Sequence, residues 1–146
     1  MSIEDDVALL ERVPTLRPLG TTALRMLAIG SEQREYARGD FLFNAGDDAD
    51  AGYIVQRGAF RVEDGGAEII AGPGALIGEL ALIVAMRRPS SAVAIEPTTV
   101  IRVARSLFQR VLESDPAAAR RLRDELATRT SQLASDILIA GAKLST

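Results

Sequence analysis

The sequence predicts a mainly β domain, an all-β sandwich, barrel or roll, with helices at both ends. Three observations carry this. Between Ser31 and about Val103 the apolar runs are short, and glycine, proline and aspartate turns separate them at close intervals. Before Ser31 and after Ala104 the apolar residues recur at helical spacing instead. The 146 residues are 47% hydrophobic and 25% charged, the balance of one ordinary globular domain with a real core. The expected partition of this single domain, 1–146, is helices over 1–30, the β region over 31–103 and helices over 104–146.

The elements follow in order. Over Asp5 to Arg12, Val7, Leu9, Leu10 and Val13 suit a short helix that Pro14 stops. Pro18 and Gly20 mark a turn. Thr21 and Thr22 are candidate N-caps of a second short helix with Leu24, Met26, Leu27 and Ile29, ended by Gly30. Strands are then expected at Phe41-Leu42-Phe43, Tyr53-Ile54-Val55, Phe60-Arg61-Val62, Glu68-Ile69-Ile70 and Thr99-Val100-Ile101-Arg102-Val103. Between them lie Ala45-Gly46-Asp47-Asp48, Arg57-Gly58, Asp64-Gly65-Gly66, Gly72-Pro73-Gly74 and Glu96-Pro97-Thr98. Glycine suits such turns because it reaches φ > 0 without a Cβ clash. Ser106 is a candidate cap for a helix with Leu107, Val111 and Leu112. Asp115-Pro116 opens a longer helix, Asp at the N-cap and Pro at the first helical position. That helix carries Leu122, Leu126, Leu133, Ile137 and Leu144, with Gly141 weakening its last turns.

Composition excludes several functions. The sequence has no cysteine and no histidine. Disulfides, thiol redox sensing, Ser-His-Asp catalysis and imidazole metal sites are therefore ruled out. No metal is expected, and a metal-dependent enzyme on a β-roll is disfavoured. Aromatics are only 4%, so Leu, Ile, Val and Ala must fill the core. The net charge of −3 argues against direct nucleic-acid binding, which usually shows a basic excess. Met1 to Arg12 is acidic and lacks a signal peptide's pattern, and no apolar run reaches the ~18 residues of a membrane span. The expectation is a cytoplasmic protein.

One segment, residues 77–92, interrupts the strands with polar chemistry. Gly78 followed by Glu79 and an apolar run turns the chain into a short helix, whose first amides suit an anion. Arg87 and Arg88 follow where the chain returns toward that start. A guanidinium makes charge-assisted, often bidentate contacts to phosphate, whereas Glu79 repels phosphate and suits a sugar hydroxyl. The alternative reading of the spacing is a short helix with an Arg–Glu surface pair.

Gly78-Glu79-Leu80-Ala81-Leu82, then Arg88, small residues and Ala92, resembles the phosphate-binding cassette of cyclic nucleotide-binding domains. Such domains occur in regulatory subunits of cAMP-dependent protein kinase, catabolite activator proteins and cyclic nucleotide-gated channels. The resemblance extends to Leu9-Leu10-Glu11-Arg12-Val13-Pro14, to Tyr36 through Asp47, and to Gly52 through Gly58, with Gly39, Gly46, Gly58 and Gly78 at the family spacing. It covers roughly residues 5 to 115. It implies an antiparallel β-roll (a double-stranded jelly roll) with short N-terminal helices and a long C-terminal helix. It also implies that Glu79 accepts from the ribose 2′-hydroxyl, that Arg88 pairs with the phosphate, that the Leu80 and Ala81 amides point at the ligand, and that Gly78 permits close approach. Arg87 stands where many members have Pro and is expected to face solvent.

Pro89 departs from the pattern, since the family usually has Ser, Thr or Ala there. Proline has no amide hydrogen, and losing one hydrogen bond to a charged group weakens affinity by ~1.5–3 kcal/mol, about tenfold to hundredfold. Ser90 or Ser91 is the candidate replacement donor. Pro89 in place of Thr also argues against cGMP. The expectation is a non-enzymatic sensor module for cAMP, standing alone or cut from a larger protein. It would signal through the Asp115 to Lys143 helix, ~40 Å long at ~1.5 Å per residue, and form a homodimer along its apolar stripe. The competing reading is a degenerate domain of the same fold that has lost its ligand and serves interaction or dimerisation.

Overall fold

The computed structural model describes residues 2–64 and 66–128. Helix α1 (Ile3–Glu11) starts earlier than its apolar pattern indicates, because Ser2 caps it in a reciprocal box with Asp5. A 3-10 turn (Arg17–Leu19) leads into α2 (Thr21–Gly30). Thr21 and Thr22 are not its caps. Gly20, at φ 85°, occupies the N-cap position and supplies no side-chain bond. Likewise α3 (Arg105–Ser114) begins before Ser106, with Ala104 at its N-cap. Asp115 does cap the next helix, α4, its Oδ1 accepting from the Ala118 amide at 3.1 Å. Helix α4 begins at 116 and is described to 128, so the expected extension to Lys143, with Leu133, Ile137, Gly141 and Leu144, lies outside the described residues.

Among the described residues ten strands lie between the helices: β1 (Glu32–Tyr36), β2 (Phe41–Phe43), β3 (Asp48–Ala49), β4 (Ala51–Arg57), β5 (Phe60–Asp64), β6 (Ala67–Ala71), β7 (Leu76–Ile77), β8 (Met86–Arg87), β9 (Ala92–Ala94) and β10 (Thr98–Ala104). One sheet runs β1-β10-β4-β7, a second β2-β9-β5-β6, and β3 pairs with β8. Every pairing is antiparallel. This is the antiparallel β-roll with flanking helices that the resemblance implies.

Strand β4 explains how the roll and the helices fit together. Its first five residues are all buried. Alternation sends Ala51, Tyr53 and Val55 into the roll, where they meet Leu42, Phe60, Ala92 and Ala94 of the facing sheet. Ile54 points the other way, joining Ile101 and Val103 of β10 under Leu10, Leu24, Leu27 and Phe108 of the helices. A strand covered on both faces reads as a continuous apolar run, as Tyr53-Ile54-Val55 does. The following turn needs glycine: Gly58 has φ 88°, and a Cβ there would sit 2.5 Å from the Pro97 carbonyl oxygen and collide with the Thr98 hydroxyl. Thr98, buried, accepts from the Ala59 amide at 3.1 Å and so ties β5 to β10.

Candidate functional site

The segment 77–92 leaves β7 at Gly78, makes one 3-10 turn (Glu79–Leu82) and returns through β8. The expected short helix is thus four residues long. Gly78 takes φ 79°, ψ 35°, a left-handed conformation that side chains disfavour. It is also pressed against Arg88: a Cβ at Gly78 would overlap Nη1 of that guanidinium and lie 3.3 Å from the Ala51 carbonyl oxygen. Both needs, the backbone angle and the close approach, point to glycine here.

Arg88 is 4% exposed. Its backbone is fixed on both sides, the amide donating to Asp47 O at 2.7 Å and the carbonyl accepting from Gly46 N at 2.8 Å. The guanidinium lies inside the roll, 4.2 Å from the Phe43 ring centroid and 5.6 Å from that of Tyr53. Cation–π attraction of this kind partly compensates a desolvated charge. Nη2 donates to Ala51 O at 2.8 Å. Nε and Nη1 are buried and find no hydrogen-bond acceptor among the described residues. Burial pulls the Arg88 pKa below its ordinary value, with Tyr53 and Asp50 acting in the opposite direction. A buried cation with orphaned donors is costly unless something completes it. An anion lying beside Gly78 would do so, and a phosphate carries acceptors suited to a guanidinium.

Glu79 sits half-buried next to Gly78, and its Oε1 accepts from the Thr15 hydroxyl at 2.7 Å. Gly78, Glu79 and Arg88 are therefore brought together. The remaining expected residues are placed less uniformly. Leu80 is 55% exposed. The Ala81 amide donates to Gly78 O at 3.1 Å and closes the 3-10 turn. Ser91 turns its Oγ to accept from the Ala45 amide at 2.8 Å. Ser90 is half-buried beside the exposed Pro89. Arg87 is exposed on β8, opposite Asp48.

Four contributors escaped the sequence reading. Phe43 and Tyr53 were legible only as strand residues, although alternation places Tyr53 on the roll side with Ala51 and Val55. Thr15 carries no motif. Arg105 opens α3, where the helix dipole disfavours a cation. Its Nη1 donates to Ala49 O at 2.8 Å, Val84 O at 3.1 Å and Ala81 O at 3.2 Å. It thereby fastens the end of the 3-10 turn to the helical layer. Among the described residues no cluster of acidic side chains suits a metal ion.

Comparison with known proteins agrees with this fold. The chain is 35% identical over 104 residues to the cyclic AMP receptor protein of Thermus thermophilus, covering 67% of this chain and 48% of that protein. It is 31% identical over 133 residues to an uncharacterized NTE family protein of Mycobacterium tuberculosis, covering 84% of this chain and 23% of the relative. The chain thus spans about a quarter to a half of these relatives' length. Among solved structures, the N-terminal domain of a transcriptional regulator from Streptomyces coelicolor superposes with TM-score 0.80 at 27% identity, covering 88% of this chain and 94% of that one. Residues 33–115 match the cyclic nucleotide-binding domain family, and with more than half of its length in that match the chain belongs to this family.

Proposed function

We propose that the protein binds cAMP in the 77–92 segment and acts as a regulatory module without chemistry of its own, its family's fold being regulatory rather than catalytic. The observation that carries the reading is Arg88: a buried guanidinium with two orphaned donor groups, held against a glycine whose missing Cβ leaves room. The cyclic phosphate completes Arg88, and Glu79 accepts from the ribose 2′-hydroxyl. Gly78 and Leu80 form the entry to the turn, and Ser90 and Ser91 stand in for the donor that Pro89 lacks. Occupation of the turn passes to the helical layer through Arg105 and onward to the C-terminal helix, along which two copies pair. The protein works in the cytoplasm, without membrane span or nucleic-acid contact of its own. Among the described residues no helix is long and apolar enough to cross a membrane.

Calorimetric titration with cAMP and cGMP tests this. cAMP is expected to bind more tightly and to raise the melting temperature by mass action. Arg88→Ala should weaken binding by about tenfold to hundredfold, while Arg87→Ala changes it by less than about threefold. Absence of heat and of any melting shift at millimolar cAMP overturns the reading. It would favour the second one, a ligand-free interaction module, for which Pro89 and the engaged Ala81 amide speak.

A further inference from the structure

Thr15 lies between α1 and the first 3-10 turn, far from residues 77–92 in sequence, and its neighbours Val13 and Leu16 are core residues of the helical layer. It is 5% exposed, one of very few polar side chains so deeply buried among the described residues. A buried hydroxyl needs a partner, and this one donates to Glu79 Oε1 at 2.7 Å, across 64 positions. An O–H···O⁻ bond of that length is charge-assisted and strong. A carboxylate accepts several hydrogen bonds at once, so a donor behind Glu79 does not compete with one in front of it. It does restrict how the carboxylate turns. Valine would fill the same volume and leave the carboxylate without this restraint.

We infer that Thr15 is a positioning residue for sugar recognition: it holds the Glu79 carboxylate in the orientation that accepts a ribose hydroxyl, and so sets the preference of the site for ribo- over 2′-deoxyribo-cyclic nucleotides. The inference rests on the proposed binding of a cyclic nucleotide at residues 77–92. A carboxylate already oriented loses little freedom when the sugar arrives, which favours the ligand carrying the 2′-hydroxyl and leaves the 2′-deoxy ligand nearly unaffected.

The experiment measures dissociation constants of cAMP and 2′-deoxy-cAMP for the wild-type protein and for Thr15→Val, Thr15→Ser and Glu79→Ala, with melting curves to establish folding. Thr15→Ala serves as the second donor-less variant if Thr15→Val does not fold. The wild type is expected to prefer cAMP. Thr15→Val should shrink that preference about three- to tenfold, through weaker cAMP binding, while Thr15→Ser preserves it. In the Glu79→Ala background, which has no acceptor for either hydroxyl, Thr15→Val should alter the preference no further, because its route of action is gone. If Thr15→Val weakens both ligands equally, or neither, Thr15 only packs the fold and the inference is wrong while the site stands. If the wild type binds neither nucleotide, the proposed function falls and takes the inference with it.

Discussion

Strand β4 borders two interiors of different chemistry. On its outer face, Ile54 joins a layer in which Leu10, Leu24, Leu27 and Phe108 are almost fully buried hydrocarbon. On its inner face, Ala51 and Tyr53 border a space holding a buried guanidinium with orphaned donors. In the first interior these side chains satisfy one another by packing. The second is stable only because rings and one carbonyl offset part of the desolvation of Arg88. The contrast teaches that burial serves stability in one layer and, on the proposed function, recognition in the other, within a strand's thickness.

Paired substitutions break or sharpen the contrast. Phe108→Ala should lower unfolding stability by about 3–5 kcal/mol, the effect of emptying a large core site. In the same urea titrations Arg88→Met should remain within about 1 kcal/mol of wild type or exceed it, since it removes a desolvated charge with unmet donors. It should nonetheless weaken cAMP binding by about tenfold to hundredfold, as Arg88→Ala does. A loss as large as that of Phe108→Ala would make Arg88 a structural cation and erase the difference between the two interiors.

A smaller effect is expected at Pro89. Asp47 O and Gly46 N hold the Arg88 backbone from both sides, so the aim of the guanidinium does not depend on the proline that follows. Pro89→Ala restores an amide and should tighten cAMP binding, by at most the ~1.5–3 kcal/mol of a charged hydrogen bond. Calorimetry that finds weaker binding in a folded Pro89→Ala protein would show that the proline orients Arg88. Unchanged affinity would mean that Ser90 or Ser91 already donates.

The smallest effect belongs to the helical side. Burial raises the pKa of Asp6, whose Oδ1 accepts from Gln56 Nε2 at 3.1 Å. The folded state then holds this proton more strongly than the unfolded state. Stability is lost as pH rises through the window just above the ordinary carboxylate value. Asp6→Asn should remove that slope, a change on the order of a degree or two in melting temperature. A slope that persists in the variant assigns it to another group.

Much of this was legible locally. The buried run of β4 and the glycine turns announced the strands, and Gly78, Glu79 and Arg88 stood in a recognisable register. Strand β1 was not legible: Glu32, Gln33, Arg34 and Glu35 are all exposed, and the strand pairs only with β10. An edge strand open to water carries no apolar alternation to read. The misplaced caps have a similar cause. Thr21 and Ser106 are good capping types, but the chain's path set the helix starts at Gly20 and Ala104.

By itself the sequence determined the mainly β class and the turn positions, because each follows from short-range periodicity and from which residues tolerate which backbone angles; the register of residues 77–92 was legible only through a family resemblance. Only the tertiary structure decided that Arg88 is buried between Phe43 and Tyr53, that Arg105 clasps the turn, and that Thr15 reaches Glu79. Those contacts join segments distant in the chain. They exist because packing the helical layer onto the roll brings the segments together, and no local pattern records which polar atoms will then meet.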